Sequence, residues 1–210
     1  MNGIRNEIKD DILIISYFFH VNGWESANKI SYQRVLYFAM VLSSLFVKGK
    51  TWSYDFSNTF FGPYNNEIVD ALEDLCVKNI LELVNRKIYS NRIEESYTIT
   101  NLGKEHCEKT LFKLRKNEEK KEWFGLVVKT LSLYGEPFFS KLVKADPNVI
   151  SMTESNDFGK IIADDSANNI SKNFFIYLKE KGRMEFSIEN DLDILLMYFD
   201  VLYRKYREEI

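Results

Sequence analysis

At 210 residues and 45% hydrophobic content, the chain can fill one large domain or two small ones. Its formal net charge is −3. Residues 1–110 carry 12 Lys and Arg against 14 Asp and Glu, and residues 111–210 carry 16 against 17, so neither half has the positive field that draws proteins to nucleic acid. Cys76 and Cys107 are too few for a disulfide framework, and the polar start Met-Asn-Gly-Ile-Arg-Asn-Glu does not read as a secretory signal. The apolar runs near Ile12–Phe19 and Val35–Val47 are too short for a bilayer or broken by Ser43 and Ser44, so a soluble cytoplasmic protein without membrane association is expected. The 16 Phe, 12 Tyr and 3 Trp suit a protein that buries surface against partners, and equally an aromatic core.

Asp10 and Asp11 ahead of Ile12-Leu13-Ile14-Ile15 read as the start of a first helix, with carboxylates at its positive end. A turn at Asn22-Gly23 leads to a second helix over Ser31–Phe46, with Val35, Leu36, Phe38, Ala39, Leu42, Leu45 and Phe46 on a wide apolar face. Lys48-Gly49-Lys50 ends it, and the alternation in Thr51-Trp52-Ser53-Tyr54-Asp55-Phe56 predicts a half-buried strand. Gly62-Pro63 reads as a turn that stops one element. Tyr64 to Asn66 open a third helix, whose apolar residues Ile68, Ala71, Leu72 and Leu75 have helical spacing. Two strand-like runs, Ile80-Leu81-x-Leu83-Val84 and Tyr97-Thr98-Ile99-Thr100, flank a polar tip and predict a hairpin. A further helix begins near Leu102.

Beyond residue 110 the mixed charges of 115–122 predict a solvated helix face, and Trp123 to Tyr134 restore an apolar one. Pro137, Pro147 and the polar stretch Ser151–Lys160 read as loops, followed by helices at about 161–181 and 188–207 with Gly182 between them. The expected fold is α+β and mostly α: an N-terminal winged helix-turn-helix with a hairpin wing over 1–110, then a helical region over 111–210.

The third helix is the obvious recognition element of such a module. It carries Glu67, Asp70, Glu73 and Asp74 against the single Lys78, which repels phosphates, and specific DNA readers normally place Arg, Lys, Asn or Gln there. Asn65 and Asn66 are placed to cap the helix. A protein partner is therefore expected, with Tyr64, Asn65, Glu67, Asp70, Glu73 and Asp74 as candidate contacts. At the hairpin tip, Arg86, Lys87 and Arg92 are candidate contacts for a DNA backbone, although Glu94 and Glu95 beside them also fit a solvated tip. His20 reads as a helix-terminal or core residue, and His106-Cys107 lack a second ligand pair for zinc. Asp164-Asp165 and Asp191-x-Asp193 read as helix starts. There is no Gly-rich phosphate loop and no set of nucleophile, base and orienting group, so no enzymatic activity, metal, cofactor or small-molecule substrate is expected.

Four stretches in order also carry a family resemblance. They are Ile30-x-Tyr32-Gln33-Arg34-Val35-Leu36-Tyr37-Phe38; Phe61-Gly62-Pro63-Tyr64-Asn65-x-Glu67-Ile68; Leu75-x-x-x-Asn79-Ile80-Leu81; and Tyr97-Thr98-Ile99-Thr100-x-x-Gly103. Together they resemble the small bacterial YwgA-type winged-helix proteins and the "middle component" subunits of three-component ABC/SMC-ATPase conflict systems, of which the Lamassu anti-phage systems are one. Asn79 stands where that family has Gly and Arg34 where it has Lys; Asn still adopts the left-handed helix-ending conformation. The resemblance implies a non-catalytic accessory subunit that binds an SMC-like ABC ATPase and helps hold or regulate an effector nuclease. The alternative is a homodimeric DNA-binding transcriptional regulator or antitoxin. Similar Gln-x-x-x-Tyr and Gly-Pro elements occur in the Panacea-type antitoxin domain, whose continuation is helical rather than a hairpin.

Overall fold

In the computed structural model, residues 2–43, 52–90, 92–159, 161–162, 169–186 and 190–208 are described. The expected end of the second helix at Leu45 and Phe46, the stop at 48–50, and Asn91 and Asp164-Asp165 lie outside them. The fold is α+β and mostly helical. A long helix α1 (Asn2–Val21) leads through the two-residue strand β1 (Ala27–Asn28) into α2 (Lys29–Val41). A small hairpin follows, β2 (Phe56–Thr59) with β3 (Gly62–Tyr64), then α3 (Asn66–Val77), a long hairpin β4 (Leu81–Ile88) with β5 (Ile93–Ile99), and α4 (Asn101–Lys109). After two 3₁₀ turns come α5 (Glu118–Ser132), α6 (Glu136–Lys144), α7 (Pro147–Glu154), strand β6 (Ile161–Ile162), α8 (Ile170–Phe186) and α9 (Asp191–Glu208).

The strands form two antiparallel three-stranded sheets, ordered β1-β5-β4 and β3-β2-β6. Helix α2 is the centre of the molecule: every residue from Ser31 to Val41 is buried. A helix buried on all sides must find partners for its polar groups. Tyr32 Oη lies 3.0 Å from Ser16 Oγ of α1, and Tyr37 Oη donates to Asp146 over 2.6 Å. One continuous core joins α1, α2 and α3 to α5, α6, α8 and α9, with Phe38 edge-on to Phe199 at 4.9 Å.

Several local expectations are corrected. Asp10 and Asp11 lie in the middle of α1 rather than at its start, because the helix begins at Asn2. Trp52 and Tyr54 alternate with exposed or half-buried neighbours as anticipated, but strand pairing begins only at Phe56. Gly62 and Pro63 form strand β3, and the turn is made by Phe60-Phe61 one step earlier. Pro137 and Pro147 open helices instead of marking loops, since a missing N–H is harmless in a first turn and the ring presets φ. Gly182 is buried inside α8 and does not separate two helices.

Candidate functional site

Helix α3 is bounded at both ends by its own sequence. Asn65 takes the extended N-cap conformation and its side chain accepts from Glu67 N at 2.7 Å, while the Glu67 carboxylate complements the positive helix end. At the other end Asn79 has φ 57°, Asn79 N donates to Cys76 O at 2.9 Å and Ile80 N donates to Leu75 O at 2.9 Å. This is the paired closure that a left-handed residue permits. Ile68, Ala71, Leu72 and Leu75 are buried, and α3 packs on α1.

The candidate contacts separate into groups. Glu67, Asp70 and Glu73 are exposed along the outer side of α3. Asp74 is turned toward α1 and pairs with Lys9 at 2.7 Å. Asn65 is occupied by the fold: its Nδ2 donates to Asp55 O at 2.7 Å, and its backbone is clasped by the Gln33 amide. Tyr64 is half-buried and lines a polar cleft of about 390 Å³ with Ser53, Asp55, Ser57, Thr59 and Glu67.

At the hairpin tip the two arginines are answered by acids. Arg86 Nε lies 3.4 Å from Glu95 and Arg92 Nε 2.9 Å from Glu94, with Arg92 also over the Tyr89 ring at 4.8 Å. Lys87 stands directly opposite Glu94 in the ladder. Glu95 also receives Lys29 Nζ at 2.7 Å, and that bond holds its carboxyl below the ordinary value. Both arginines of the tip are thus ion-paired, which weakens the attraction it can offer a phosphate backbone.

Two buried polar clusters escape a reading of the sequence. Lys120, expected on a solvated face, is 5% exposed and reaches Glu7, both oxygens of Asp11 (2.9 and 3.1 Å) and the face of Trp52 at 4.2 Å. Burial raises the Asp11 carboxyl to about 6 against the pull of Lys120. Burial also opposes the Lys120 cation, but Asp11 and Glu7 outweigh it and its pKa is raised. In the second cluster the fully buried Asp146 caps α7 and accepts from Tyr37 and Tyr198, each at 2.6 Å, and from Ser171 at 2.7 Å. Burial raises its carboxyl above the ordinary value, and these hydroxyls counteract it. Its partners come from α2, α8 and α9, so the cluster ties the third of the chain that carries the motifs to the C-terminal helices. Only the i,i+4 charge spacing and the Asp-Pro start of α7 hint at either cluster in the sequence.

Phe60 and Phe61, 80% and 76% exposed at the β2–β3 turn, form a third feature with Phe158. Burial raises the Cys107 thiol to about 12 and the Cys76 thiol to about 11, the reverse of an activated nucleophile. Among the described residues no His, Cys, Asp and Glu side chains group to hold a metal ion, and no helix is long and apolar enough to cross a membrane.

Compared with protein-family models, curated proteins and solved structures, the chain matches none.

Proposed function

We propose that the protein is a non-catalytic accessory subunit whose N-terminal region is a winged helix that docks on another protein through α3. The winged-helix reading is supported by the order α1-β1-α2-α3-β4-β5 and by the β1-β5-β4 sheet, with β2–β3 inserted between the second and third helices. The observation that carries the docking reading is the exposed row Glu67, Asp70 and Glu73 on the third helix, beside a hairpin tip whose arginines are engaged by Glu94 and Glu95. Such a face repels phosphate and suits a basic protein surface.

Together with the resemblance of four sequence stretches to the middle-component subunits, this favours an SMC-like ABC ATPase as the partner and an effector nuclease as the third member, in a bacterial anti-phage or anti-plasmid complex. The protein, affinity-tagged in its native host, is expected to co-purify with that ATPase, and reversal of Glu67, Asp70 and Glu73 to Lys is expected to abolish recovery. A gel-shift titration of the isolated protein discriminates against a transcriptional regulator: tight, sequence-specific binding to one duplex would replace the subunit reading.

A further inference from the structure

The hairpin β4–β5 ends the first sheet on an open edge. Strand β4 is eight residues long, pairs only with β5 among the described residues, and is exposed from Glu82 to Ile88. Leu83, Val84 and Ile88 are 39%, 53% and 74% exposed. A long edge strand with exposed apolar side chains is a template for another strand unless something blocks it. Two features here block an arbitrary strand: the register shift between Leu83 and Asn85, which inserts one extra residue, and the charges Arg86 and Lys87.

Both features become complementary when the incoming strand is β4 itself. We propose that the outer edge of β4 pairs antiparallel with β4 of a second copy of this chain, about a two-fold axis between Val84 and Asn85. In that register Glu82 of each copy stands opposite Lys87 of the other, Leu81 opposite Ile88, and Leu83 opposite Arg86. Residues directly opposite in an antiparallel pair must share a face. Glu82 and Lys87 are five apart, so an unbroken strand would send them to opposite faces. The inserted residue restores the match. Glu82 opposes Thr98 and Lys87 opposes Glu94, both on the outer face of β5, whereas Leu81, Leu83, Arg86 and Ile88 oppose Ile99, Tyr97, Glu95 and Ile93 on the other. The inserted Val84 of each copy stands opposite Asn85 of the other, so the two irregularities lie side by side at the axis. Ile88 of each copy is thereby laid beside Leu81 at the foot of the partner hairpin.

The pairing stands independently of what α3 binds. A single pair of eight-residue strands buries less than the ~800 Å² per partner of a standard interface, so association is expected to be weak, with a dissociation constant of about 10–100 µM. Sedimentation equilibrium of the full chain between about 1 and about 300 µM tests it; the mass is expected to rise from 24.8 kDa toward twice that value. Glu82→Lys and Lys87→Glu, each placing like charges across the axis, are expected to weaken the wild-type dimer at least about tenfold, and an equimolar mixture of the two variants to recover it. A wild type that stays monomeric throughout, or a dimer indifferent to Glu82→Lys, overturns the proposal. Because Lys87→Glu also faces Glu94, hydrogen exchange on the unaltered protein provides a second reading. Slower exchange of β4 amides at high concentration supports the pairing, and exchange that does not change with concentration overturns it.

Discussion

The Gln33 side-chain amide donates to Asn65 O at 2.8 Å and accepts from Asn65 N at 2.9 Å, so one side chain of α2 acts toward the entry of α3 as a neighbouring β-strand would. Its neighbour Arg34 continues the clasp, donating to Pro63 O at 2.7 Å and also to Phe61 O. Gly62 is required between them: its φ is +101°, and a Cβ there would lie 3.0 Å from the Arg34 guanidinium. Gln33→Ala leaves a half-buried N–H and C=O of Asn65 without their partner, and is expected to lower unfolding stability by about 1–2 kcal/mol in urea denaturation. Gln33→Glu, which keeps the acceptor but cannot donate, is expected to lose a similar amount.

Asp146 is a buried carboxylate that faces hydroxyls rather than a cation. Removing its oxygens strands Tyr37, Tyr198 and Ser171 together, in a site that joins α2 to α7, α8 and α9. Asp146→Ala is expected to cost about 3–5 kcal/mol, and Asp146→Asn, which keeps one acceptor oxygen, about 1–2 kcal/mol. Thermal denaturation of the two variants beside the wild type checks the order. Equal losses would show that the single oxygen kept by Asn holds none of the three hydroxyls.

Asp11 gives the protein a pH dependence of definite sign. Its folded carboxyl is raised to about 6 from 3.8, so the folded state holds this proton more tightly than the unfolded chain. The associated stability is fully present below the unfolded value and is lost as pH rises through about 6. Glu7, lowered by Lys120 and Ser53 although burial opposes this, acts in the opposite sense below its ordinary 4.5. Above about pH 5 the Asp11 contribution is therefore isolated from that of Glu7. The stability of wild type relative to Asp11→Asn is expected to fall by about 1 kcal/mol from about pH 5 to about pH 7, read from urea curves at each pH. A relative stability that rises over that range would contradict the assignment.

The four motif stretches are legible because they are short-range solutions to folding problems. Gln33 and Arg34 hold Phe61–Asn65, as above. Asn79 and Ile80 meet the fourth stretch: Thr100 Oγ1 donates to Asn79 O at 2.8 Å and accepts from Gly103 N at 3.0 Å. A Cβ on Gly103 would strike Ile80 O at 2.4 Å. Helix periodicity and capping residues likewise place the start of α3 to within two residues. The pairing of β2 with β6 and the Asp146–Tyr37 and Lys120–Asp11 contacts were not legible, because each joins positions more than 100 residues apart whose pairing no local pattern encodes. Lys120 in particular sits in a run of charges indistinguishable from a solvated face until α1 and Trp52 are brought against it.

Because Gln33, Arg34, Asn65 and Thr100 are engaged within the fold, the proposed docking is tested on the exposed outer row of α3. Glu67→Lys, Asp70→Lys and Glu73→Lys together alter exposed positions, so stability is expected to fall by no more than about 2 kcal/mol, chiefly from Glu67 at the positive end of α3. Asp74→Lys, which breaks the contact with Lys9, is likewise expected to cost no more than about 1 kcal/mol. The triple reversal moves three side chains from repelling to attracting phosphate beside the hairpin. Weak, salt-sensitive DNA binding is therefore expected to appear or strengthen, with about one added unit of salt slope for each lysine that reaches the backbone. Charge reversal at Arg86, Lys87 and Arg92 is expected to lower DNA affinity only modestly, since both arginines are already paired with Glu95 and Glu94. If the hairpin reversal abolishes DNA binding, the β4–β5 hairpin is a DNA contact after all, and if the helix reversal leaves partner recovery intact, α3 is not the docking surface.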